Sequence, residues 1–166
     1  MKKIFMLFIV STLFVIPCHA AVKLPADITY GNTERPPEIS EWVNSAARVT
    51  QLDTVSGYKG SWTERTYRTP HGTLFYVTWM EGKGTDGWAA KEVTQTSDDD
   101  GQTSEVSIFK TIYICGFAAE YELRPMLGSS IVVKLPEGVL TVEAKRTEEP
   151  EIKAVTERLI REITKK

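Results

Sequence analysis

Beyond the first twenty residues, one cysteine and one histidine have the chemistry of a nucleophile and its base. Cys115 carries a thiol, and His71 an imidazole that exchanges protons near neutrality. A thiol–imidazole site needs the two brought together in space, which sequence does not reveal. His71 lies between Pro70 and Gly72, and Cys115 precedes Gly116. Both settings are turn chemistry, so each reads first as a hairpin tip: a solvated imidazole and a half-buried turn thiol. No catalytic role is assigned to either.

Asp98-Asp99-Asp100-Gly101 gathers the oxygens that hard cations prefer. The EF-hand register fails, however. With Gly101 sixth, Thr96 falls first and Ser107 twelfth, where an Asp and a bidentate Glu are needed. The stretch reads as a solvated acidic loop, and no metal is assigned. Gly82-Lys83-Gly84-Thr85 lacks the phosphate-loop spacing and reads as a turn, so no cofactor is expected. Glu120, Glu122 and Glu143 share one sheet face by alternation. Paired carboxylates can hydrolyse glycosides, but on an exposed sheet face they are ordinarily just solvated. Among the aromatics, Trp62, Tyr67, Phe75 and Trp79 read as core. Phe109 and Tyr113 lie on the strand face opposite Ile108 and Ile112, so a helix covering the isoleucines leaves these rings open.

The elements that must position these residues are clearest at the C-terminal end. Ile131-Val132-Val133-Lys134-Leu135 and Val139-Leu140-Thr141-Val142-Glu143-Ala144 flank the turn Pro136-Glu137-Gly138. Ile131, Val133 and Leu135 fall on one face, as do Leu140, Val142 and Ala144. Ile152, Val155, Leu159, Ile160 and Ile163 then recur as one stripe of a 3.6-residue period. Acidic residues open this helix and basic ones close it, as the helix dipole favours. Thr147 or Glu149 is the expected N-cap, with Pro150 in the first turn. Burying each large aliphatic contributes about 1.5–3 kcal/mol, and the hairpin's apolar face is the nearest partner.

Upstream, Phe117, Ala119, Tyr121 and Leu123 point inward, and Cys115-Gly116 is a two-residue turn. Lys110 breaks the apolar face of its strand. Leu74 to Met80 is apolar on both faces and is expected centrally, while the polar stretch Ser61 to Thr69 suits a strand near an edge. A short strand is expected from Gln51 to Val55. Ile39, Trp42, Val43 and Ala46 have helical spacing after Pro36-Pro37, which predicts a short N-terminal helix; the alternative is an extended segment anchored by Trp42. Residues 81–105 read as a long flexible loop, with one helical turn at 88–93 and Trp88 as a docking point.

The first twenty residues are read as an address. Lys2 and Lys3 precede an apolar run from Ile4 to Ile16, and Pro17-Cys18-His19-Ala20 resembles a cleavage site. Cleavage after Ala20 is expected, with Cys18 as a lipoprotein site the less favoured alternative. No membrane span would then remain. Loss of Lys2 and Lys3 takes the 20 basic residues to 18, against 22 acidic ones, which argues against nucleic acid as a partner. Cys115 is then the sole cysteine, so no intrachain disulfide can form.

These readings predict an α+β fold. An irregular lead-in at 21–37 precedes one domain at 38–166, an antiparallel β-meander of about six strands packed by a C-terminal helix. The expected function is an exported bacterial-type module, periplasmic or secreted. It would bind a protein, peptide or apolar ligand through Trp88, Phe109, Tyr113, Glu120 and Glu122, without catalysis. The alternative is a small envelope hydrolase using Cys115 with His71, or a carboxylate pair.

Overall fold

The computed structural model describes residues 34–52, 59–93, 96–99 and 106–165, through the backbone alone at 96–99 and Val106. The expected leader, its cleavage site and most of the lead-in lie outside the described residues, as do the positions expected for a strand at 53–55. Among the described residues nine strands form one antiparallel sheet: β1 (Val43–Asn44), β2 (Arg48–Gln51), β3 (Gly60–Arg68), β4 (Leu74–Gly82), β5 (Thr96–Asp99), β6 (Val106–Ile114), β7 (Phe117–Arg124), β8 (Gly128–Leu135) and β9 (Gly138–Ala144). One helix follows, α1 (Glu149–Thr164). The α+β class is as expected; the strand count of about six is too low.

The strands occupy eight positions in the order β1/β2, β3, β4, β9, β8, β7, β6, β5. β1 and β2 share the outer edge of β3, Val43 lying opposite Arg68 and Arg48 opposite Glu64. The order is therefore not one continuous meander. After β4 the chain passes to the far edge and then meanders back from β5 to β9, which pairs with β4. Cys115 and Gly116 turn the β6–β7 hairpin at φ 52° and 84°, left-handed values that suit a two-residue turn and that Gly116 adopts freely.

One face of the sheet carries the core. Phe75, Val77 and Trp79 of β4 meet Leu140, Val142 and Ala144 of β9, flanked by Ile131, Val133 and Leu135 of β8. All five predicted helix residues are buried against this face, joined by Thr156, whose hydroxyl donates to the Ile152 carbonyl at 2.7 Å. Lys110 stands at the margin of the apolar face, where its ammonium pairs with Glu149 at 2.6 Å and lies 5.2 Å over the Tyr121 ring. The helix begins after Glu148, which occupies the N-cap without a side-chain cap. Neither Thr147 nor Glu149 fills that position.

The expected N-terminal helix is absent. The Ile39 amide donates to Asn44 Oδ1 at 3.0 Å, and Asn44 Nδ2 donates to the Ile39 and Trp42 carbonyls at 2.9 and 2.8 Å. This side chain satisfies the backbone groups that a helix would have used, and leaves a turn followed by β1. The turn lays Ile39 and Trp42 on the core face, with Trp42 edge-on to Tyr67 at 5.7 Å. The expected loop at 81–105 contains the end of β4, a short 3-10 turn and β5. Residues 88–93 are irregular rather than helical.

Candidate functional site

The helix and the turn that carries Ile39 and Trp42 both pack on the core face, which leaves the other face to carry the site. Alternation and register arrange that face in rows running across the strands. One row is Thr66, Tyr76, Glu143, Ser130, Glu122 and Phe109. The next is Glu64, Thr78, Thr141, Val132, Glu120 and Thr111. A third holds Trp62, Met80, Val139 and Lys134.

The segment that leaves β4 crosses part of this face. Lys83–Thr85 forms the 3-10 turn, and Lys134 Nζ donates to the Thr85 hydroxyl at 2.9 Å. Further along, the Lys91 amide donates to Glu120 Oε1 at 2.7 Å, and the Val93 amide to the Thr111 hydroxyl at 2.8 Å. That hydroxyl donates to the Lys91 carbonyl, and the Thr111 amide donates to the Val93 carbonyl at 2.9 Å. The crossover thus runs over β8, β7 and β6, and Val139 is buried although it points to the nominally open side.

Among the described residues nothing covers the rest of the face, which forms a trough of two adjoining hollows, about 290 and 500 Å³. Tyr76, Thr141 and Glu143 are common to both. Trp62, Glu64 and Arg48 border one hollow; Glu122, Arg124 and Leu127 border the other. Two of the carboxylates are engaged. Glu122 accepts from Arg124 Nε and, at 3.4 Å, from the Ser130 hydroxyl; Glu64 accepts from Trp62 Nε1 at 3.2 Å. Glu143, at the centre, makes no hydrogen bond or ion pair with another described residue. Tyr76 is 44% exposed and sits directly across from it in the register.

The five sequence-predicted residues fall in different places. Glu122 borders the trough. Glu120 is occupied by the Lys91 amide, and Phe109 lines a slot of about 270 Å³ with Lys91 and Val93. Trp88 is half-buried within the crossover, and Tyr113 is 69% exposed near the β6–β7 turn. Sequence reasoning placed Glu143 on this face but missed Tyr76, and read Trp62 as core. The signal for Tyr76 was its place in an apolar strand, out of phase with Phe75 and Val77.

Cys115 and His71 are not brought together. His71 is exposed in the β3–β4 turn, beyond Arg68 and Leu74, at the end of the sheet where β6 places Ile108. Cys115 follows Ile114 at the opposite end, with its Sγ 3.9 Å from the Glu157 carbonyl of α1. The six residue steps from Ile108 to Ile114 span about 20 Å along the strand. Among the described residues no three His, Cys, Asp or Glu side chains converge as a metal-ligand set, and no helix is long and apolar enough to cross a membrane.

No family model matches the chain, and neither a curated protein nor a solved structure matches it. The functional reading therefore rests on the geometry of the open face.

Proposed function

We propose that the protein is an exported, non-enzymatic binding module of the cell envelope or its surroundings, and that it takes its ligand on the uncovered half of the open face. Export is argued from the leader-like first twenty residues. Binding is argued from one observation above all: a trough centred on Tyr76 and Glu143, bordered by Trp62 and Leu127, that no part of the described chain fills. An aromatic ring and an indole beside charged groups contribute much contact area at small entropic cost, the usual make-up of a recognition surface. The ligand class is a protein, a peptide or an apolar molecule. Trp88, Phe109, Tyr113 and Glu120 would extend the surface along the crossover, and Glu122 belongs to the trough itself.

The test begins with capture of the ligand from the native envelope by the exported protein. Tyr76→Ala and Trp62→Ala are then compared with wild type for binding that ligand. At least one should lose about 1–2 kcal/mol of affinity with its thermal midpoint preserved. Unaltered binding by both variants would refute the proposal.

A further inference from the structure

We infer that a hollow between the β3–β4 turn and the end of β9 is an oxyanion site, and that it takes a phosphate group, either free or at the end of a larger ligand. The hollow lies beyond the trough, and its reading does not depend on what the trough holds.

Register assembles the site. Ala144, the last residue of β9, lies opposite Phe75, so Lys145 comes level with Leu74, which pairs in turn with Arg68 of β3. By alternation Lys145 continues the open-face series of Thr141 and Glu143. Arg146 then turns the chain toward α1 at φ 54°. His71 and Gly72 of the β3–β4 turn close the other side. The space between is about 420 Å³, and it meets the trough at Tyr76 and Lys145.

Charge selects the occupant here. Lys145, Arg146 and His71 line the hollow, and no carboxylate of a described residue does. Lys145 and Arg146 are exposed, and neither makes a hydrogen bond or ion pair with another described residue. Arg68 adds a further cation, its guanidinium 3.3 Å from the Gly72 carbonyl. The carboxylates at this end of the sheet are engaged or set apart. Glu151 faces His71 from α1, where the hydroxyls of Thr147 and Thr73 donate to it. Glu148 and Glu149 lie toward Tyr121, and Glu149 pairs with Lys110. Glu122 pairs with Arg124, and Glu143 stands two residues back along β9, about 7 Å from Lys145. A cationic group in the hollow would be repelled, and an apolar one would desolvate Lys145 and Arg146 with nothing in exchange. An anion answers both. The ammonium, the guanidinium and the imidazole approach from the strand end, the chain reversal and the opposite turn. A carboxylate has one charge and two oxygens, which a single guanidinium satisfies. A phosphate monoester carries nearly two charges and three free oxygens, one for each donor.

Inorganic phosphate, phenyl phosphate and acetate are the probes, titrated into the whole exported chain at constant ionic strength and followed by NMR. Both phosphates should saturably shift the resonances of His71, Gly72, Lys145 and Arg146, and acetate should bind about tenfold more weakly. K145A and R146G should each weaken phosphate binding about tenfold with the thermal midpoint preserved. Glycine takes the left-handed conformation at position 146 at less cost than arginine, so R146G removes the guanidinium without threatening the fold. Phenyl phosphate binding more tightly than inorganic phosphate supports the site and identifies a phosphorylated organic ligand; equal affinity supports it and identifies the free ion. No saturable shift, shifts confined to another surface, acetate binding as tightly as phosphate, or unchanged affinity in either variant would each overturn the inference. A captured ligand that depends on Tyr76 or Trp62, in a protein that fails these phosphate tests, removes this site and keeps the trough.

Discussion

Glu151 links the first turn of α1 to the β3–β4 turn with one carboxylate. The Thr147 hydroxyl donates to it at 2.6 Å, and with the Thr73 hydroxyl and the charge of His71 holds its pKa below the ordinary carboxylate value against the opposing effect of burial. A carboxyl group whose folded pKa is depressed adds stability above its unfolded pKa and loses it as pH falls through the folded one. Glu151→Gln should therefore be less stable than wild type near neutrality, with the gap closing below the ordinary carboxylate range of about pH 4. Thermal melts across that range decide it; a gap independent of pH would mean that the loss is one of packing. Tyr67 makes a second point at this scale. Its hydroxyl donates to the Pro37 carbonyl at 2.6 Å, and burial pushes the phenol well above its usual pKa, so it stays protonated and able to donate. Tyr67→Phe leaves that carbonyl without this donor. Denaturant unfolding should show a loss of about 1–3 kcal/mol, and no loss would mean that water replaces the bond.

Among the elements, α1 was the most legible because its apolar period is long and uninterrupted, and all five predicted residues are buried. Leu159 lies at the middle of the stripe and is fully buried. Leu159→Asp should cost about 3 kcal/mol or more, since it sets an unpaired charge against Ile131, Val133 and their neighbours. A thermal midpoint equal to wild type would show that the stripe does not depend on the sheet. Strands β6 to β9 were legible for a related reason: each alternates over seven residues or more and each is joined to the next by turn chemistry. β1, β2 and β5 were not. They are two to four residues long, and their ladders are set by partners such as Arg68, Glu64 and Phe109, far away in sequence. The misread helix at 39–46 shows the limit of periodicity. Four apolar residues had helical spacing, yet Val43 is 70% exposed and Ala46 is also exposed, because Asn44 fixed a turn that only Ile39 and Trp42 use for packing.

At the scale of the molecule, the decisive event is the pairing of β4 with β9. It brings Tyr76 beside Glu143 across a gap of more than sixty residues in the chain, and β3 adds Trp62 from the next strand. Sequence alternation placed Glu143 on the right face but had no means of giving it these neighbours, so the predicted site drifted toward β6 and β7. The same pairing obliges the chain to travel from β4 to the far edge, and the crossover makes that journey over the open face. Its hold there is chiefly polar: Lys134 on Thr85, Glu120 on the Lys91 amide, Thr111 on Val93 and Lys91. The core lies on the opposite side of the sheet, so loosening these bonds should free the segment without unfolding the domain. The double substitution Glu120→Ala with Thr111→Val removes both side-chain acceptors for the Lys91 and Val93 amides. Hydrogen exchange at those two amides should accelerate about tenfold or more, the equivalent of about 1.4 kcal/mol, which is one to two ordinary hydrogen bonds. Amides of β8 and β9 should keep their protection. If all of these amides accelerate together, the crossover is part of one cooperative unit with the sheet; if none does, other contacts of the crossover hold it in place.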